Sequence, residues 1–390
     1  MDVSELFQQP AGMAYFDSAA TSLTCTPALE KMQEYYRDYR ANIHRGAHRL
    51  TLKASDEYES VYGKLAHFFQ ADAQEFTAVR NTTEAVNAVA LGLEWSKGDE
   101  VIVTDIEHHS NLLPWLRLKK QGVLVRILES DAEGRLSPEK LVSVISKKTR
   151  LVSFTACSNV LGGTIPITDL ASTAKKAGAL VFVDAAQYVG HHPVSLKQWP
   201  VDFLAFSGHK SFGPTGIGVL FHRKNVDLSP WFVGGGTVRD VSLSDYNLLK
   251  HRERFEAGTP PIAEWLGLGA ALDVINQIGY SVIQSHDQKL IAAMLRVFQE
   301  SPHVTLFGSN QAEEKAGAIF PFSVKNVPHH QAAVMLDQLG FACRSGHHCA
   351  IPLTKKLGVP GTVRASLHVY NTEEQVTRFG EALKTLAALS

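Results

Sequence analysis

Between about residue 50 and residue 222 the chain alternates two hydrophobic rhythms. Stretches with helical spacing, residues 55–70 and 82–95, are interleaved with short β-branched runs at 101–104, 123–128, 151–154 and 180–184. Such alternation predicts βα units on a mostly parallel sheet. Ser137-Pro138 and Thr168 read as helix openings, and Gly178 as the residue just past a helix end, directly before the run 180–184. From Pro260 to Ile278 the helical rhythm returns. Helices are then predicted over 287–300, 331–339 and 373–389, with a strand run at 316–324. This pattern predicts a large α/β domain over residues 17–277, and a smaller α+β domain made of residues 1–16 with 278–390. No Pro/Gly/Ser-rich linker or internal repeat separates the two.

Composition narrows the classes. The 390 residues, 45% hydrophobic and 20% charged, suit an ordinary globular protein with room for two cores. Lys plus Arg (38) almost balances Asp plus Glu (39), so no global field draws the chain to nucleic acid or an anionic membrane, and neither is expected as a partner. The opening MDVSELFQQP lacks the basic and apolar segments of a secretory signal, and no apolar run approaches the ~20 residues that span a bilayer. A cytoplasmic location is the expectation. Four cysteines, Cys25, Cys157, Cys343 and Cys349, are too few and scattered for a disulfide framework.

Several clusters carry chemistry. Phe206-Ser-Gly-His-Lys-Ser-Phe-Gly-Pro puts Lys210 on a Gly-rich loop after a predicted strand (201–206), where ligands of open α/β sheets gather. A lysine of lowered pKa there can condense with an aldehyde; binding phosphate by charge alone is the alternative. Asp184 ends the strand 180–184, placed either to keep a pyridine nitrogen protonated or to cap the following helix. Arg80-Asn-Thr82-Thr83-Glu84 sets two hydroxyls and outward N–H groups at a helix start, a phosphate cradle that Ser207 and His209 can complete, with Thr82 as a plain N-cap the other reading. His108-His109 follows the strand 101–104, where an imidazole can stack on a flat cofactor and move protons near neutral pH. Adjacent histidines point apart and no spaced third ligand appears, so no metal is expected there; a site of Cys343, His347 and Cys349 is crowded and lacks a fourth ligand. In Phe341-Ala-Cys-Arg-Ser-Gly-His-His-Cys, Cys349 lies on a loop near Arg344 and two histidines, positive neighbours that favour the nucleophilic thiolate, whereas Cys343 reads as a buried strand residue. Arg364 opens a predicted strand and can grip a carboxylate; an exposed surface arginine is the alternative.

Taken in order, these clusters resemble the aminotransferase class V family of fold-type I pyridoxal-phosphate enzymes, and within it the group II cysteine desulfurases of the Suf/Csd and selenocysteine lyase type. The resemblance runs from Tyr15-Phe-Asp-Ser-Ala-Ala-Thr through Asn42-Ile-His-Arg-Gly-Ala-His, Ser158-Asn-Val-Leu-Gly and Arg254-Phe-Glu-Ala-Gly-Thr-Pro to the Cys349 and Arg364 segments. It implies pyridoxal 5'-phosphate as cofactor, held by Lys210, with Asp184 at the pyridine nitrogen, Gln187 at the ring oxygen and His108 stacked on the ring. Thr82, Thr83, Ser207 and His209 are implied phosphate ligands, and Thr259 reaches the partner's cofactor in a homodimer. Asn159 and Arg364, with Arg344 and His44, are implied to hold L-cysteine. Cys349 then takes its sulfur as a persulfide for a SufE- or SufU-like acceptor or a small thiol, in iron–sulfur cluster or other sulfur-compound biosynthesis. Selenocysteine lyase or cysteine sulfinate desulfinase activity is the alternative on the same scaffold, and a non-catalytic sulfur-carrier scaffold is the rival outside enzymes. Asn81, where relatives commonly have Gly, and Val238-Arg-Asp after Gly234-Gly-Gly depart from the pattern, the latter putting acceptor choice in doubt.

Overall fold

In the computed structural model, which describes residues 3–388, two sheets organise the chain. A short strand β1 (Ala14–Tyr15) precedes the seven strands of the larger sheet: β2 (Phe76–Val79), β3 (Glu100–Thr104), β4 (Leu124–Leu128), β5 (Thr149–Thr155), β6 (Leu180–Asp184), β7 (Phe203–Ser207) and β8 (Gly218–His222). Their order is β2-β8-β7-β6-β5-β3-β4, parallel except that β8 runs antiparallel to both neighbours. Strands β3, β7 and β8 are buried along their whole length, as a sheet covered by helices on both faces requires. Edge strand β4 instead exposes Leu124 and Ile127.

Next come a hairpin of β9 (Val238–Val241) and β10 (Tyr246–Leu248), then β11 (Val304–Leu306), β12 (Ile319–Val324), β13 (Phe341–Ala342), β14 (Arg344–Gly346) and β15 (Thr362–Ser366). Four of these form an antiparallel sheet in the order β11-β12-β15-β14, while β1 pairs in parallel with β13. Phe16 packs with Phe341 and Phe379, so the chain's first strand joins the core that also holds Phe320 and Phe322.

Boundaries differ from the sequence pattern for local reasons. Helix Arg49–Phe69 starts six residues before the predicted 55, capped by the His48 ring, which accepts from Thr51 N–H. Helix Thr82–Gly92 stops short of 95: Leu93 turns into extended backbone, and the Gly92 carbonyl accepts from Ser229 N–H at 2.9 Å, an approach so close that a Cβ on Gly92 would lie 2.5 Å from the Ser229 carbonyl oxygen. Helix Ile167–Lys176 opens at Ile167 after Pro166 rather than at Thr168. Helices Ile262–Ile278 and Tyr280–Gln299 bend by 77° about Gly279, a glycine at φ 80°, and no single helix among the described residues is long and apolar enough to cross a membrane.

Candidate active site

The carboxyl ends of β3, β5, β6 and β7 open into a cavity of about 280 Å³. Lys210 follows β7 in a short 3-10 turn and lines this cavity with Asp184 from the end of β6. Enclosure by protein brings the Lys210 amine down to about 8, with Arg364's charge acting in the same direction and Asp184's carboxylate opposing it. Burial raises the Asp184 carboxyl, whose Oδ1 accepts from Ala186 N–H at 2.9 Å. Gln187 lies at the same wall and donates from Nε2 to the Ala19 carbonyl at 2.6 Å.

At the start of helix Thr82–Gly92 the cap is Asn81, whose side chain accepts from Glu84 N–H at 3.0 Å. Thr82 is therefore not the plain N-cap that the sequence allowed. Its hydroxyl and backbone N–H instead meet Ser207 Oγ at 2.9 and 3.0 Å, while Thr83 Oγ1 lies 2.6 Å from Ser110 Oγ. Two of the helix's first N–H groups are thus satisfied within the chain, leaving the hydroxyl cluster of Thr82, Thr83 and Ser207 beside His209 to face an anion. Asn81, the departure from the family pattern, is explained by this capping.

His108 also lines the cavity, with Nδ1 accepting from Ser110 N–H at 3.1 Å, which leaves the ring hydrogen on Nε2. Burial first, then the charges of Lys210, His109 and Arg364, push the imidazole down to about 3. It offers a neutral ring face and an N–H, not the titration near neutrality that an unperturbed histidine suggests.

Of the four thiols only Cys349 is exposed, and it lines the same cavity as Lys210. Cys157 also touches the cavity, but burial pushes its thiol up to about 12, and burial raises Cys25 and Cys343 likewise. The Cys349 loop is short and pinned. His109 N–H donates to the Cys349 carbonyl at 2.7 Å, Ile351 N–H donates to His109 Nε2 at 3.1 Å, and the Asn159 amide donates to the His348 carbonyl at 2.7 Å. His348 and Cys349 sit at φ 52° and 56°, left-handed conformations that cost about 1 kcal/mol or more each and persist because these bonds hold them.

Arg364 lies in β15, 2% exposed, so the alternative of a surface arginine falls away. It donates from Nη1 to the Asn159 carbonyl at 2.9 Å and from Nη2 to Asp17 at 3.2 Å, while its buried Nε has no partner among the described residues. Arg344 grips the same Asp17 with two nitrogens. Asp17 stood inside the Tyr15-Phe-Asp-Ser motif without an assigned role; its partners lie 327 and 347 positions away, so no local signal in the sequence marks it.

Two expected residues lie elsewhere. His44 and Thr259 line a separate cavity of about 610 Å³ in this chain, so neither His44's substrate contact nor Thr259's phosphate contact is made within one chain. Also outside the cavity, and unforeseen, buried His191, Asp287 and His368 bring their ligand atoms within 4.8 Å of one another. The two imidazoles stack at 3.9 Å and 17°, so their in-plane lone pairs do not converge on one ion; His191 Nδ1 pairs with Asp287 at 2.6 Å instead.

A lysine held near neutrality at a strand end, an acid buried across from it and a hydroxyl-lined helix start define an α/β enzyme site for a flat cofactor bearing an aldehyde and a phosphate. The chain belongs to the aminotransferase class-V family, whose model matches residues 14–379. A probable cysteine desulfurase of Pyrococcus abyssi is 44% identical over 378 residues, covering 95% of this chain and 94% of its own length. The apo structure of a cysteine desulfurase from Thermococcus onnurineus superposes with a TM-score of 0.93 at 43% identity, covering 96% of this chain and 94% of that one. The cysteine desulfurase CsdA (S-sulfonic acid) from Escherichia coli superposes with a TM-score of 0.92 at 32% identity, covering 99% and 98%. The α/β architecture is accordingly that of fold-type I.

Proposed function

We propose that the chain is a pyridoxal-phosphate-dependent cysteine desulfurase, converting L-cysteine to L-alanine and keeping the sulfur as a persulfide on Cys349. The observation that carries this reading is that Lys210 and the exposed thiol of Cys349 line one cavity of about 280 Å³. The donor set fits the cofactor. Thr82, Thr83, Ser207 and His209 suit its phosphate, buried Asp184 its pyridine nitrogen, Gln187 its ring oxygen, the His108 ring its face, and the Lys210 amine its aldehyde. Bound there, the cofactor supplies an electron sink at the substrate's α-carbon.

The chain's own residues do the rest. Arg364, with its unpartnered Nε, and Asn159 and Arg344 beside it orient the substrate carboxylate. Lys210 Nζ moves the α-proton. The Cys349 thiolate attacks the substrate sulfur; an S–S bond forms, the C–S bond breaks with its electron pair left on carbon, and a proton completes alanine. Because the loop is pinned at His109 and Asn159, the persulfide cannot travel, and a SufE- or SufU-like protein or a small thiol comes to it, feeding iron–sulfur cluster or other sulfur-compound biosynthesis. In a homodimer Thr259 reaches the partner's cofactor phosphate and His44 accompanies it. The exposed Val241, Leu243 and Tyr246 of the β9–β10 hairpin lie on the segment whose departure bears on acceptor choice. Residues 17–277 form the cofactor domain and 1–16 with 278–390 the domain bearing Cys349, in a cytoplasmic enzyme.

The test is alanine release from cysteine, selenocysteine and cysteine sulfinate, with the unaltered enzyme and Cys349→Ala. Loss of cysteine turnover in the variant is expected. Full cysteine activity without Cys349 contradicts the assignment, and preferential turnover of either other substrate assigns the alternative activity.

A further inference from the structure

One carboxyl group clasps the turn that carries His108. Glu107 is 2% exposed. Its Oε1 accepts from Thr104 Oγ1 at 2.5 Å and from Thr155 N–H at 2.9 Å, and its Oε2 accepts from the Asn111 amide at 2.7 Å. Thr104 ends β3 and Asn111 closes the turn, so the two ends of the segment are tied to one another and to β5.

The direction of these bonds is fixed. Asn111 Oδ1 receives the Trp115 indole N–H at 3.1 Å and Ser153 Oγ at 2.7 Å, and because an indole N–H only donates, the Asn111 nitrogen must face Glu107. Each Glu107 oxygen therefore meets an N–H that cannot accept. A carboxyl group serves both; a glutamine of the same shape cannot, because its own N–H₂ would confront one of them.

The clasp also reaches the opposite partner of the site. Thr155 is the register partner of Asp184, its Oγ1 donates to the Cys157 carbonyl at 2.8 Å, and the next residue, Ala156, donates its N–H to the Asp184 carbonyl at 2.8 Å. Thr155 and Cys157 both line the cavity. On the other side His108 follows Glu107 directly, and its carbonyl accepts from Asn111 N–H at 2.9 Å. Burial pushes the Glu107 carboxyl up to about 8. A proton on it has one acceptor among these partners, Thr104 Oγ1, so the clasp holds in either charge state.

We propose that Glu107 is a positioning residue whose carboxyl group locks the His108 turn onto β5 and so sets the separation of the His108 ring and Asp184 across the cavity. This rests on the pyridoxal-phosphate reading of that cavity. The test compares Glu107→Gln with the double variant Glu107→Gln/Asn111→Asp, which exchanges amide and carboxylate across the same contact and restores a donor opposite an acceptor. Each reconstituted protein is measured for cofactor affinity and absorption spectrum without substrate, for kcat and KM with cysteine, and for thermal midpoint.

The single variant should lose about tenfold in cofactor affinity and in kcat, with KM for cysteine changed by less than about threefold and the absorption band altered. The double variant should return both losses to within about threefold of the unaltered enzyme. Unaltered affinity and kcat in the single variant overturn the proposal. So does a double variant that fails to fold, or that folds and remains impaired. If Glu107→Gln alone fails to fold, the double variant decides in the same terms. An unaltered protein that takes up no pyridoxal phosphate would instead overturn the proposed function.

Discussion

Reductive methylation of the apo-protein across a pH series titrates Lys210 in place, because only the neutral amine reacts and peptide mass spectrometry reads each lysine separately. Enclosure lowers this amine from 10.5 to about 8. At pH 7 that leaves about 9% of Lys210 neutral, against about 0.03% of a free lysine, a gain of roughly 300-fold in the form that condenses with an aldehyde. Labelling of Lys210 should rise about tenfold per pH unit and level off above pH ~8, while surface lysines keep rising to pH ~10. Two substitutions give the sign of the neighbours. Arg364→Leu removes a cation that disfavours the protonated amine and should move the bend upward; Asp184→Asn removes the opposing carboxylate and should move it downward. Labelling that climbs without a bend to pH ~10, or a bend that moves the other way in both variants, would refute the electrostatic argument.

Asp17→Ala strips buried Arg364 of its ion-pair partner and should lower unfolding free energy by about 3 kcal/mol in urea, with the half-exposed Arg344 contributing under about 1 kcal/mol of that. Adding Arg364→Leu should recover more than half; a single variant within about 0.5 kcal/mol of the unaltered protein would contradict the pairing. Asn81→Ala should cost about 1 kcal/mol and Asn81→Gly only a few tenths, since glycine is tolerated as a cap and alanine is not; equal losses in thermal melts would argue against capping.

What was legible in the sequence follows from where the information sits. Strand β6 matched its run because continuous apolar residues are bounded by Gly178 at φ 83° and by Asp184. Lys210, Asp184, His108 and Thr82 came together because each follows or ends a strand of one mostly parallel sheet, in which every strand but β8 runs the same way and so ends at the same edge. Helix starts were less legible where the cap is atypical, as with the His48 ring. Asp17 was invisible in role because its partners lie 327 and 347 positions away, and Glu107 because its meaning depends on which way an asparagine amide faces. Periodicity and local motifs carry no such long-range directions.

Whether Cys349 carries the sulfur is read directly by mass spectrometry of the enzyme after incubation with L-cysteine as the sole thiol. With L-cysteine no more than equimolar to enzyme, one added sulfur is expected on the peptide carrying Cys349, none on Cys25, Cys157 or Cys343, and alanine is released in equal amount. Alanine released with no sulfur on Cys349, or sulfur found on another cysteine, would contradict that role of Cys349.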